Sequence, residues 1–331
     1  MKKIKVVQIG LGPLGQKIPV YIGQRRGIEL VGAVDVDPNL QGRDVGELCG
    51  LDPMNIRISA SLDECLKTVK PDVAILTTVS TMERISPQIV EIVKHKLPVV
   101  STCEELVYPW DTSPDLAGRI DEAAKSANVA VLGTGVNPGF LMDALPVFLS
   151  SVCQQVETVH VERFQNAAFR RIPFQKKIGA GLNLEEFETL KQSGTLKHVG
   201  LTESIQLIAN AMGWKLTRTE DLITPVIAEK EIKTDALTIP EGFAAGVQQI
   251  GRGWVGNEEK ITLHFRAAVG EPESYDRVEI KGEPHISSTI KDGVNGDVAT
   301  CAIVLNALQQ IIKATPGLRT MADIPITAFF R

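Results

Sequence analysis

Several absences narrow the field before any motif is read. The five cysteines, Cys49, Cys65, Cys103, Cys153 and Cys301, are scattered, form no C-x-x-C pair and follow no secretory leader. They read as reduced thiols of a cytoplasmic protein. The five histidines, His95, His160, His198, His264 and His285, are too dispersed to suggest a metal cluster, so no metal is expected. No basic run is longer than a pair such as Arg170-Arg171, and 35 Lys and Arg against 40 Asp and Glu leave a net charge of −5. That balance argues against a nucleic-acid partner. No apolar stretch reaches the roughly 20 residues needed to cross a bilayer, and the one long candidate, Phe140 to Val152, carries Asp143. No membrane association is expected. Met1-Lys2-Lys3 imitates the basic start of a signal peptide, but the short apolar run after it enters a glycine cluster without a cleavage pattern, and it reads better as a first strand. There is no internal repeat and no low-complexity segment.

What remains is an ordinary globular composition, 44% apolar and 23% charged over 331 residues, long enough for two domains at about 100–200 residues each. A β-branched run, Ile4 to Ile9, ends at Gly10-Leu11-Gly12-Pro13-Leu14-Gly15, after which apolar residues resume at helical spacing. Pro19 should shorten or kink that helix. A second strand, Glu29 to Val34, closes on Asp35, and later ones fall at Val73–Leu76 and Val99-Val100. Helical stretches lie between them near Leu62–Val69 and Met82–Lys94. Strands alternating with helices predict an α/β Rossmann domain with a doubly wound parallel sheet. Past the Gly- and Pro-rich segment 133–139 the texture changes. A helix at Phe140–Ser150 precedes alternating runs at Val156–Phe164, Ile261–Ala267 and Tyr275–Ile280, with helices at Leu184–Lys191 and Thr202–Met212. These predict an α+β substrate domain with a mixed or antiparallel sheet. A last helix spans Asp297 to Ile312, with Asp297 as its expected N-cap.

The pattern Gly10-x-Gly12-x-x-Gly15, between a strand and a helix, is that of a dinucleotide cradle. The first glycine permits the tight turn, the second lets a pyrophosphate approach the backbone, and the third lets helix and strand pack closely. Pro13 lacks a backbone donor, so phosphate contacts should fall to neighbours such as Leu14. Asp35 stands where a carboxylate would bind both ribose hydroxyls and repel a 2′-phosphate, which favours NAD(H), although nearby Arg43 leaves NADP(H) possible. The local alternative is a turn built by Asp35 with Asp37-Pro38. Thr77, Thr78 and Ser80 follow a strand at the carboxyl edge of the sheet, where they could meet the nicotinamide or simply end the strand. Beyond the next strand, Thr102-Cys103-Glu104-Glu105 brings two carboxylates to the same edge. One could serve as general acid and base at a dry site, or both could start a helix. Cys103 reads as a small buried hydrophobe. Val159, Val161 and Arg163 alternate in phase with Gln165, so the last two could share a face, and an arginine there could fork onto a carboxylate. Thr262, His264 and Arg266 share the face opposite Ile261, Leu263 and Phe265, either solvated or at a ligand.

With these pieces in place the chain resembles the dihydrodipicolinate-reductase-like oxidoreductases, in the 2,4-diaminopentanoate dehydrogenase and native amine dehydrogenase branch. The resemblance is carried by Val7-Gln8-Ile9-Gly10-Leu11-Gly12, Ser101-Thr102-Cys103-Glu104-Glu105, the segment from Gly133 to Phe140 with its Asn137-Pro138-Gly139, and the tail from Gly296-Asp297 through Pro316-Gly317-Leu318. The His-His-x-x-Lys-x-Asp signature of true dihydrodipicolinate reductases is missing, so that reaction is not expected. The resemblance implies an NAD(P)-dependent enzyme that interconverts an amine with a ketone and ammonia through an imine reduced by hydride. It implies Glu104 as the group handling protons, a cofactor site that includes Cys103, and a substrate pocket shaped by Asn137, Arg163, Gln165 and His264. It also implies a returning C-terminal segment, giving a dinucleotide domain of residues 1–136 completed by 295–331, and a substrate-binding and dimerisation domain of residues 137–294 in a homodimer. Two rivals stay open: a related Rossmann dehydrogenase acting on another C=N or C=O substrate, and a non-enzymatic NAD-binding sensor, which would have no need of Glu104.

Overall fold

A computed structural model describes residues 3–169, 172–194, 196, 198–234 and 237–331. Met1, Lys2 and the Arg170-Arg171 pair lie outside the described residues. The chain divides into two compact units, Met1–Phe140 with Asn295–Arg331, and Leu141–Val294. The first crossing falls after the Asn-Pro-Gly stretch rather than before it. The reason is local: Val136 N–H donates to Thr300 Oγ1 at 3.2 Å, and Gly139 folds back onto Gly135, which ties the stretch to the first unit.

The first unit is built on strands β1 (Ile4–Ile9), β2 (Ile28–Val34), β3 (Ile58–Ser59), β4 (Val73–Leu76), β5 (Val99–Ser101) and β6 (Ala130–Gly133). Its helices are α1 (Lys17–Gly23), α2 (Val45–Leu48), α3 (Leu62–Leu66), α4 (Met82–Lys94) and α5 (Pro114–Ala127). The strands pair in parallel in the order β6-β5-β4-β1-β2-β3, so the order reverses between β1 and β4. A crevice opens at the carboxyl ends of strands at such a switch point. Successive residues of β1 face opposite layers: Val6 packs with Ile18, Ile22, Val304 and Leu308, while Val7 packs with Ile85, Ile89, Ile120 and Ala124. Pro19 is tolerated because it falls in the first turn of a seven-residue α1, where its missing N–H costs no helical bond.

The second unit holds a six-stranded mixed sheet. Its strands are β7 (Gln155–Asn166), β8 (Arg218–Ile227), β11 (Ala244–Val255), β12 (Glu258–Ala268), β13 (Tyr275–Glu283) and β14 (Ile286–Lys291), in the order β14-β13-β7-β12-β11-β8, with β7 and β12 parallel and the other pairs antiparallel. The hairpin β9 (Ile232–Lys233) and β10 (Thr238–Ile239) stands apart. Helices α6 (Ala144–Leu149), α7 (Ile172–Lys177), α8 (Leu184–Gln192) and α9 (Leu201–Ala211) complete the unit. α6 starts later than its apolar run suggested because Asp143 caps it, its carboxylate accepting from Ala144 N–H at 2.6 Å. The chain then returns through α10 (Gly296–Ile311) and adds β15 (Gly317–Arg319) beside β6, a seventh parallel strand. The N-cap of α10 is Asn295, whose side chain accepts from the N–H groups of Asp297 and Val298. Asp297, expected in that role, instead pairs with Lys17 at 2.6 Å.

Candidate active site

The glycine loop lies past the end of β1, at the switch point, and each glycine has its own reason. Gly10 sits at φ +88°, and a Cβ there would lie 2.7 Å from Thr78 Cγ2. A Cβ at Gly15 would run into the Gly10 carbonyl. At Gly12, which is exposed, a Cβ would meet nothing within 4 Å. The first and third glycines are therefore required by the chain itself, whereas the second borders open space. The N–H groups of Gly12 and Leu14 donate to no acceptor among the described residues, and Pro13 stands exposed between them. Such a cradle of free donors around an open glycine fits a pyrophosphate.

Asp35 follows β2 as expected, and its carboxylate has work inside the chain. Oδ2 accepts from Leu11 N–H at 2.6 Å and Oδ1 from Asp37 N–H at 2.9 Å. The turn to Asp37 is present, and the bond to Leu11 couples the end of β2 to the glycine loop. Each oxygen retains a lone pair for a ribose hydroxyl. Thr77 is turned inward: its hydroxyl donates to the Gly10 carbonyl at 2.8 Å and accepts from Gln8 Nε2 at 2.8 Å. It supports the loop from below. Thr78 is exposed and donates to Gln88 Oε1 at 2.8 Å, and the Ser80 carbonyl accepts from Glu105 N–H at 3.3 Å.

Past β5, Cys103 is buried in the layer with Ile85, Leu106 and Ile120, and burial pushes its thiol pKa up. Contact with a cofactor at this position would have to be made by its backbone. Glu105 opens a short 3-10 turn, and its Oε2 accepts from Met82 N–H at 2.6 Å. It thereby caps α4, whose own N-cap residue Thr81 makes no side-chain cap bond. Glu104, half-buried, stands at the same edge of the sheet, next in strand order to the β4 loop. Asn137, half-buried, belongs to the loop after β6 in the same unit.

In the second unit Arg163 and Gln165 share a face of β7 and a partner. Arg163 is 3% exposed; Nη1 donates to Asp276 at 2.5 Å and Nη2 to the Val294 carbonyl at 2.9 Å, which Gln165 Nε2 also reaches at 3.5 Å. The carboxylate beneath the guanidinium is thus an internal one. Burial pushes the Asp276 carboxyl up, against the opposing pull of Arg163 and of Val294 N–H. His264 does not join this group. It is in register with Glu162, whereas Phe265 is opposite Arg163, and neighbours along a strand face opposite sides of the sheet. Its ring lies edge-on to Phe164 at 4.7 Å, and Nε2 is buried without a partner among the described residues. The proposed pocket of Arg163, Gln165 and His264 is therefore divided by the sheet itself.

Sequence reasoning missed Gln8, Asp276 and the capping role of Glu105. Gln8 stood in plain view as a polar residue inside an apolar strand, while the other two depend on pairings far apart in sequence. Among the described residues no helix is long and apolar enough to cross a membrane, and no cluster of His, Cys, Asp and Glu could hold a metal.

Comparison with known proteins bears on both units. Residues 140–330 match the 2,4-diaminopentanoate dehydrogenase C-terminal domain, and residues 4–103 match the dihydrodipicolinate reductase N-terminus. A protein of Acetoanaerobium sticklandii named 2,4-diaminopentanoate dehydrogenase is 34% identical over 98% of this chain and 94% of its own. An amine dehydrogenase of Streptomyces virginiae is 23% identical over 98% of this chain and 96% of its own. The solved structure of an amine dehydrogenase from Mycobacterium smegmatis superposes with a TM-score of 0.82 at 22% identity, covering 99% of this chain and 97% of that one, which shows a shared fold.

Proposed function

The chain belongs to the 2,4-diaminopentanoate dehydrogenase family, and from that premise we propose how its residues divide the work of an NAD(P)-dependent amine dehydrogenase. The reaction removes hydride from the carbon bearing an amine, hydrates the resulting imine and releases a ketone and ammonia; reductive amination is the reverse. When bound, the nicotinamide cofactor supplies the hydride acceptor or donor. The glycine loop holds the pyrophosphate through the N–H groups near Gly12 and Leu14. Asp35 receives the ribose hydroxyls and sets a preference for NAD(H) over NADP(H).

Glu104 takes the proton of the attacking water, returns it to the departing ammonia, and runs these steps in the opposite order for amination. The observation that carries this assignment is the bond from Met82 N–H to Glu105 at 2.6 Å. It gives Glu105 a task at the start of α4, which supports placing the proton chemistry on Glu104, the carboxylate that the family resemblance implies. In the second unit Arg163 and Gln165 serve the substrate, Arg163 acting as a neutralised pair with Asp276 rather than as a bare cation, and in the first unit Asn137 has the same role. His264 is left out because it faces the other side of its sheet. The reading includes a cytoplasmic homodimer, supported by five free cysteines and the resemblance noted from sequence.

Steady-state turnover with NADH, ammonia and a panel of ketones tests the reading as a whole. Ammonia-dependent oxidation of NADH is the expected result, and reduction of the same ketones to alcohols without ammonia would overturn it. Light scattering that returned the mass of one chain at micromolar concentration would remove the dimer.

A further inference from the structure

Gln8 is the next-to-last residue of β1, wholly buried, and its partners in register on the adjoining strands are Ala33 and Ile75. Packing alone does not call for an amide there, because Leu or Met would fill similar volume without a polar atom to satisfy. Only one end of the amide is used. Nε2 donates to the Gly10 carbonyl at 2.9 Å and to Thr77 Oγ1 at 2.8 Å, and the Thr77 hydroxyl donates in turn to the same carbonyl at 2.8 Å. Oε1 is buried with no partner among the described residues. For stability the residue is a liability, so its grip on Gly10 needs another account.

The Gly10 carbonyl belongs to the peptide whose N–H is that of Leu11, and this N–H donates to Asp35 Oδ2 at 2.6 Å. One peptide plane is therefore held at both ends, its carbonyl by β1 and the end of β4, its N–H by the end of β2. It immediately precedes the free donors of Gly12 and Leu14, so its orientation sets where they point. We infer that Gln8 is a positioning residue for the cofactor: it preorganises the phosphate loop by fixing the Gly10–Leu11 peptide, without touching the ligand. A loop fixed in advance binds more tightly because less ordering remains to be done on association. The inference rests on the reading of this loop as the cofactor site.

Gln8→Leu separates positioning from structural support. The Gly10 carbonyl would keep the Thr77 hydroxyl, and the orphaned Oε1 would be gone, so the thermal midpoint should hold or rise. The NADH dissociation constant, read by fluorescence titration, should rise about tenfold, the worth of one hydrogen bond, and KM for NADH should rise with kcat nearly unchanged. Gln8→Glu provides an independent readout if Gln8→Leu fails to fold. A protonated carboxyl can donate to Gly10 as the amide does, whereas an ionised one repels the carbonyl, so NADH affinity should fall as pH rises in this variant and not in the wild type. Unchanged affinity in Gln8→Leu, a parallel loss of affinity and thermal stability, or a flat pH profile in Gln8→Glu would overturn the inference. A wild-type protein that bound no NADH would overturn the reading of the loop and the inference with it.

Discussion

The Asp35 carboxylate accepts the Leu11 N–H at 2.6 Å, so the residue that should choose between NAD and NADP also holds the loop that binds either of them. Substitutions there change two things at once. Asp35→Asn keeps an oxygen able to accept from Leu11 and removes the charge that repels a 2′-phosphate; it should narrow the preference for NADH while preserving much of the efficiency. Asp35→Ser is too short to reach the loop and should lower kcat/KM with both cofactors. The check is kcat/KM for NADH and NADPH in the three proteins. A wild-type preference for NADPH, or an Asp35→Ser variant as efficient as Asp35→Asn, would contradict this account.

Two glycines three residues apart, Gly12 and Gly15, should respond differently to the same substitution. Gly12→Ala adds a methyl group to open space, so the thermal midpoint should stay near that of the wild type while NADH affinity falls, because the added carbon stands where the pyrophosphate approaches. Gly15→Ala drives a Cβ into the Gly10 carbonyl and should destabilise the protein by about 1–3 kcal/mol or more, the range of an overpacked core. Calorimetry paired with NADH titration distinguishes them. Normal NADH binding by Gly12→Ala would remove the loop from the cofactor site.

The first unit was the more legible half, for a physical reason. Strands such as Val73–Leu76 and Val99–Ser101 are buried on both faces and read as short apolar runs, with the glycine loop at the carboxyl edge where such a sheet binds nucleotides. α5 was passed over: its buried stripe is only Ala117, Ile120 and Ala124, although Pro114 at its first turn and Asn128 in the left-handed region at its end mark both limits. In the second unit β8 and β11 escaped because their residues argue against strands. β8 carries Glu220, Asp221 and Pro225, and β11 carries Gly246, Gly251 and Gly253. The structure supplies the reason for these glycines, since a Cβ at Gly246 would run into the Ala267 carbonyl and one at Gly251 or Gly253 would lie 2.9 or 2.8 Å from Ile205 of α9. Sequence placed Arg163 and Gln165 on one face correctly by alternation. It could not pair Arg163 with Asp276, 113 positions away, and it set His264 in their company without a register to show that the two strands turn them apart.

Acid should weaken the second unit through His198. Its ring packs on Phe265 at 4.7 Å, and desolvation, reinforced by the charges of Arg163 and Lys177, pushes its pKa from 6.5 down to about 4. The unfolded chain therefore binds this proton more readily than the folded one. The stabilising contribution is present above about pH 6.5 and is lost as pH falls through 4. Thermal midpoints measured across that window should fall more steeply for the wild type than for His198→Gln, which cannot take up the proton. Parallel curves for the two proteins would show that this histidine does not set the acid response.

Glu104 and Glu105 are adjacent carboxylates to which different tasks are assigned, and substitution should separate chemistry from support. Glu105 accepts the Met82 N–H at the start of α4, a contact that a neutral amide oxygen can replace in part. Glu105→Gln should therefore lower the thermal midpoint modestly, by the 0.5–2 kcal/mol or so that helix caps contribute, and leave most of the turnover. Glu104→Gln keeps the shape and removes the titratable proton. It should preserve NADH affinity while lowering reductive amination by about 100-fold or more, the scale of general acid–base assistance. The pH profile gives the sharper readout, because a lost general base removes a limb of the profile whereas a misplaced loop lowers the whole curve. Normal turnover in Glu104→Gln with loss in Glu105→Gln would exchange the two roles, and full activity in both would mean that neither carboxylate moves the proton.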